Sequence, residues 1–103
     1  MATRSRIGVE LPNGKVKSVY CHWDGYPSGV GQDLKDKNFQ STEEVIDFIN
    51  EGDRSTVDLS YKEYRGENRP PIEHKSREAY FKSDIEEWGY LYTLDNEWIY
   101  KKG

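Results

Sequence analysis

The chain is short of three things. It has a single cysteine, Cys21, so no disulfide closes within it and no cysteine-rich zinc site can form, which points to a reducing compartment. No apolar run approaches the roughly 20 residues needed to span a bilayer, and the N-terminal stretch lacks a signal-peptide core, so a cytosolic protein without a membrane partner is expected. Aliphatic bulk is scarce as well. Ile, Leu, Val and Phe together make up 20 of 103 residues, close to the composition at which highly charged chains stay disordered.

Against these shortages stand a net charge of only −4, three Trp and eight Tyr. Each of those rings buries a large apolar body while needing a partner for one polar atom. The reading is one folded domain, residues 1–103, with a thin, aromatic core and self-association as an extra source of stability. A pI near 5.2 argues against general duplex DNA binding.

Arg6 to Leu11 alternates strictly, with Ile7, Val9 and Leu11 on one face, and predicts a half-buried strand. Asn13-Gly14 then predicts a hairpin turn, since both residue types accept positive φ, and a second strand follows from Lys15 to about Trp23. Asp24 to Gly31 carries three glycines and a proline and predicts an irregular loop, with Ser28 as the cap of a short helix through Leu34. Ser41-Thr-Glu-Glu44 is a capping box, Val45, Ile46, Phe48 and Ile49 form an apolar stripe, and Gly52 suits the residue after the helix. Val57, Leu59 and Tyr61 alternate as a short strand would, while Tyr64 to Pro71 reads as an exposed loop. Trp88 to Leu94 and Trp98 to Tyr100 predict an aromatic hairpin turning at Asp95-Asn96. The fold class expected is α+β: a small antiparallel sheet formed by an N-terminal and a C-terminal hairpin, with one or two short helices packed on it.

Few residues offer catalytic chemistry. Cys21 and His22 are neighbours on a strand and point to opposite faces, so they cannot pair as thiolate and imidazole. His22 and Asp24 share a face if the strand continues, which keeps an acid/base or metal pair geometrically open; the plainer reading is a strand histidine bonded to Asp24 or to a nearby carbonyl. With no third group to complete a catalytic set, no enzyme and no cofactor are expected.

Binding is better served. Trp23 and Tyr26 flank a glycine-rich loop, offering stacking faces beside free amides; the plainer reading is a structural corner. Tyr64, Arg65 and Arg69 lie in the charged segment, where guanidinium forks match phosphate oxygens and a tyrosine stacks on a base; the plainer reading is a solvated loop of weak ion pairs. Arg6, with Arg4 nearby, can serve the same pocket from a neighbouring subunit, or simply keep an edge strand soluble. Arg6, Trp23, Tyr26, Tyr64, Arg65 and Arg69 are thus the candidate ligand-binding residues.

Ser5-Arg6-Ile7-Gly8-Val9-Glu10, the Asn-Gly hairpin and the specific run Cys21-His22-Trp23-Asp24-Gly25-Tyr26-Pro27 with Gly31 resemble a family of small phage and prophage proteins. The resemblance continues through Ile49 to Asp53, Tyr64 to Glu67 and the closing hairpin. The group it resembles is the first type of Thoeris anti-defence proteins, sponges for cyclic ADP-ribose isomers made by host TIR proteins. What the resemblance implies is a β-rich homo-oligomer in the host cytoplasm that captures a small phosphorylated nucleotide without converting it. The chain is shorter than that group around the tyrosine-arginine segment, so the site residues above rest on chemistry alone. The alternative reading is an inhibitor of a host nuclease or CRISPR effector, binding that host defence protein through an acidic surface of Glu43, Glu44, Asp47, Glu51, Asp53, Asp84, Glu86 and Glu87.

Overall fold

A computed structural model describes residues 2–103. The first hairpin joins β1 (Ser5–Glu10) to β2 (Val16–Cys21) in the register Ile7 opposite Val19. Its turn differs from the expected one. Only Gly14 takes a positive φ, +86°, while Pro12 and Asn13 form an ordinary turn and Asn13 Oδ1 accepts the Lys15 amide at 2.9 Å. The second hairpin, β6 (Trp88–Tyr92) and β7 (Trp98–Lys102), closes the same way, with Asn96 in the left-handed position at φ +61°.

The two hairpins meet through a parallel pair, β1 against β6, so the sheet is mixed and β1 is central rather than the edge strand of the plainer reading of Arg6. The reason is geometric. The segment between the hairpins is long enough to cross over, which parallel neighbours require and a tight turn cannot supply. Beyond β2, the short strands β3 (Arg54–Thr56), β4 (Leu59–Ser60) and β5 (Ile72–His74) complete seven strands, in the order β4-β3-β2-β1-β6-β7 with β5 beside the first half of β2. The α+β class holds, with N- and C-terminal strands paired in one sheet and four short helices around it.

One face of the sheet carries Ile7, Val9, Val19, Cys21, Tyr90 and Tyr92. Against it pack Val30 and Leu34, from a wide π-helical turn at Pro27–Gly31 and α1 (Gln32–Asp36), and Val45, Phe48 and Ile49 from α2 (Thr42–Asn50). Ser41 caps α2 through the Glu44 amide, as the capping box requires, but no side chain caps the turn that Ser28 was expected to start. The other face holds a smaller cluster of Val16, Leu91 and Ile85 beneath Tyr80 of α4 (Arg77–Lys82). Gly8 is what admits that ring. A Cβ there would stand 3.2 Å from Tyr80 Cζ and 3.1 Å from Val16 Cγ1. Tyr80 donates its hydroxyl to the Tyr90 carbonyl (2.7 Å), and Tyr90 donates its own to the Gly25 carbonyl (2.6 Å), so both buried phenols are satisfied.

The middle of the chain departs most from expectation. The run from Val57 to Tyr61 is broken: β4 spans two residues and Ser60 caps α3 (Tyr61–Arg65), which ends at Gly66 with φ +71°. Tyr64 and Arg65 therefore stand on a helical turn, and only Gly66 to Pro71 remains loop.

Candidate functional site

On the face shared by Arg6, Ser18 and Tyr20, the sheet leaves β2 running toward α3, and a line of rings and guanidinium groups follows it. Trp23 meets His22 edge-on at 4.7 Å between ring centres, His22 lies 5.9 Å from Tyr20, and Tyr20 lies 6.3 Å from Tyr61. The Arg69 and Arg65 guanidinium groups then sit over the Tyr61 ring at 4.9 and 5.7 Å, and Arg65 also reaches Tyr64 at 5.8 Å. Such cation–π contacts hold an arginine plane in place while leaving its N–H edges free.

The backbone explains why these groups converge. Gly52, at φ +92°, lets the Arg69 carbonyl pack against the end of α2, and the Asp53 amide donates to that carbonyl at 2.8 Å. The Asp53 carbonyl accepts the Tyr61 amide (2.9 Å), while its carboxylate accepts the Tyr20 amide (2.9 Å). One residue thus ties the loop bearing Arg69, the helix bearing Tyr61 and strand β2 together. Burial raises the Asp53 carboxyl above its usual range, with the Tyr20 amide, Arg6 and Arg69 pulling the other way.

Of the six expected site residues, the fold brings Arg6, Tyr64, Arg65 and Arg69 into this neighbourhood. Arg6 is less free than expected, since its guanidinium donates to Ser18 Oγ at 3.0 Å and to the Ser18 carbonyl at 3.3 Å. Trp23, 44% exposed, closes the far end of the line through His22. Tyr26 is separate: it is exposed, its hydroxyl donates to Asp24 at 3.3 Å, and that carboxylate holds the phenol protonated above its ordinary range. The residues missed were Tyr20 and Tyr61, partly or largely covered, which carry the contacts between the two ends; Tyr20 shows its place only through the alternation of β2. Arg65 makes no ion pair among the described residues, whereas Arg69 is paired with Glu67 on the surface at 3.0 Å.

The His22–Asp24 pair does not form. Although the His22 and Trp23 amides still donate to the Arg54 and Ser55 carbonyls, Asp24 turns into the left-handed region at φ +58°, and His22 Nδ1 lies 2.7 Å from the Tyr20 hydroxyl. Two other catalytic arrangements fail on burial. Ser18 Oγ is 2.7 Å from His74 Nε2, yet Ser18 is fully buried and its oxygen already accepts from Arg6. Burial pushes the Cys21 thiol up to about 12, far from a working thiolate. Among the described residues no group of three or more His, Cys, Asp or Glu is placed to hold a metal ion, and no helix is long and apolar enough to cross a membrane.

Burial, and then the charge of Arg6, lowers the His74 pKa from its usual value. The unfolded chain therefore takes up this proton first as pH falls, so the stability that neutral His74 supports is present above about pH 6.5 and is lost below it. The melting temperature is expected to fall from pH 7 to pH 5.5, and His74→Gln, measured by circular dichroism, to flatten that slope. An unchanged slope would remove His74 from the account.

The fold and the line of side chains define a small mixed-sheet α+β domain that gathers arginines and tyrosines along one side of β2 and α3. No protein-family model, curated protein or solved structure matches the chain.

Proposed function

We propose that this protein binds a small phosphorylated nucleotide on the arginine–tyrosine line and holds it without chemical conversion. In the phage counter-defence setting that the sequence resemblance implies, the ligand is a cyclic nucleotide immune signal of the cyclic ADP-ribose kind. The observation that carries the reading is that the Arg65 and Arg69 guanidinium groups both lie over the ring of one tyrosine, Tyr61, beside the 59%-exposed ring of Tyr64. Fixed guanidinium edges suit phosphate oxygens, and an open tyrosine face suits a base. Sequestration rather than turnover is supported by the sealed Ser18 and the protonated Cys21.

Isothermal calorimetry with a panel of cyclic nucleotides and ADP-ribose isomers tests this. Binding by the wild type is expected to fall at least 30-fold in Arg65→Ala/Arg69→Ala, about 2 kcal/mol for two charge-assisted contacts. Asp53→Asn, which removes the carboxylate lying near Arg6 and Arg69 while keeping an oxygen for the Tyr20 amide, is expected to tighten it. Absence of heat with every nucleotide would end the proposal.

The rival reading, a protein partner gripped by acidic residues, draws on a broad depression of about 760 Å³ lined by Asp47, Asn50, Glu51, Ser60, Lys62, Glu63 and Asn68. It loses Asp53, whose carboxylate turns inward to Tyr20. A stoichiometric host protein recovered with the wild type but not with Asp47→Lys/Glu63→Lys would favour it.

A further inference from the structure

The last strand of the sheet, β7, has one side without a neighbour. The hydrogen bonds from the Thr93 amide to the Glu97 carbonyl and from the Gly103 amide to the Glu87 carbonyl, each 2.9 Å, fix which residues face β6. Residues directly opposite alternate between bonded and non-bonded pairs in an antiparallel ladder. Ile99 and Lys101 therefore point their backbone groups at β6, while Trp98, Tyr100 and Lys102 point theirs outward. Among the described residues nothing accepts from or donates to those outward amides and carbonyls. Five residues of regular strand, with Tyr100 half exposed, form an open template of the kind that proteins normally cover.

We infer that this edge is covered by the same edge of a second copy, β7 against β7 in antiparallel sense about a twofold axis beside Tyr100. The charge pattern along the strand selects that occupant and that direction. Asp95 and Glu97 lie in the turn just before the strand, Lys101 and Lys102 at its end. A parallel neighbour would set like charges side by side, whereas the antiparallel copy brings Glu97 of each copy diagonally toward Lys101 of the other. The register that pairs all five residues also pairs outward with outward backbone groups. Trp98 then lies opposite the partner's Lys102, Ile99 opposite the partner's Lys101, and Glu97 stands diagonally from the partner's Lys101 on the same face. The outward groups close about six main-chain hydrogen bonds. Within one copy Lys102 already rests 5.9 Å from the Trp88 ring and Lys101 5.2 Å from that of Phe81, the kind of lysine–aromatic contact that the pairing would repeat across the axis. The nucleotide face lies beyond β2 at the other side of the sheet, so this inference does not rest on the proposed function.

Native mass spectrometry and light scattering of the full chain at micromolar concentration read the outcome. The expected mass is twice 12.1 kDa. Tyr100→Pro removes an outward amide but none that bonds to β6, so it should give a folded monomer with an unchanged far-ultraviolet spectrum. Lys101→Glu sets two acids together and should weaken the dimer at least tenfold, while Glu97→Lys/Lys101→Glu, which reverses both ends, should restore it. A wild type that is monomeric, a folded Tyr100→Pro dimer, or a double variant no tighter than Lys101→Glu would each overturn the inference. If Tyr100→Pro does not fold, the charge pair alone decides.

Discussion

Tyr80→Ala is expected to remove about 3–5 kcal/mol of stability, in the range for deleting a large buried ring. The ring is fully buried at the centre of the second cluster, among Val16, Ile85 and Leu91, so its removal leaves a cavity there. For a domain of this size each kcal/mol shifts the melting temperature by about 4–8 °C, so a fall on the order of 15–30 °C is expected by calorimetry. Tyr80→Phe separates the two roles of the residue. It keeps the ring and loses only the 2.7 Å bond to the Tyr90 carbonyl, an effect of about 1 kcal/mol. A Tyr80→Ala protein that melts within a few degrees of the wild type would mean that α4 does not hold the sheet.

Alkali is expected to unfold the protein abruptly. Cys21 is pushed up to about 12, and burial raises Tyr80 and Tyr90 well above the ordinary phenol range. In each case the folded state keeps a proton that the unfolded chain releases, so the stability is intact below the unfolded pKa and falls as pH rises past it. The loss begins near pH 9 for the thiol and near pH 10 for the phenols, at about 1.4 kcal/mol per pH unit for each group. By about pH 11 the three together reach roughly 5 kcal/mol, comparable with the whole stability of a small domain. Circular dichroism against pH should show one steep transition, with the last phenolates appearing together with the loss of structure, and Cys21→Ala should move it to higher pH. Smooth titration of all tyrosines in a still folded protein would contradict this.

Both hairpins, α2 and the burial of Cys21 were legible because each rests on local rules: alternation of apolar residues, a glycine or asparagine at a left-handed position, and a serine three residues before a glutamate. The parallel pairing of β1 with β6 was not legible, since nothing within either strand states which edge it offers. The α3 turn was hidden for a different reason. Val57, Leu59 and Tyr61 alternate as a strand would, but Ser60 accepts the Glu63 amide and the chain turns helical at once. For the candidate site, residue chemistry picked out Arg65, Arg69 and Tyr64, and the fold gathers these three side chains around Tyr61. Their convergence with Tyr20 and Tyr61 depends on Asp53 and Gly52, which join three separate segments through hydrogen bonds that leave no pattern in the sequence.

The junction at the middle of the sheet has a bearing on how the chain is made. Ser5 lies beside Trp88, and neighbouring Arg4 and Glu87 are 83 positions apart, so the first hairpin leaves the ribosome long before its partner exists. Closing so long a span is entropically slow and gives a high contact order. Until β6 is synthesised, one flank of β1 stays bare, and shortening the chain before Trp88 would leave a nascent product prone to aggregate rather than a smaller version of the same domain.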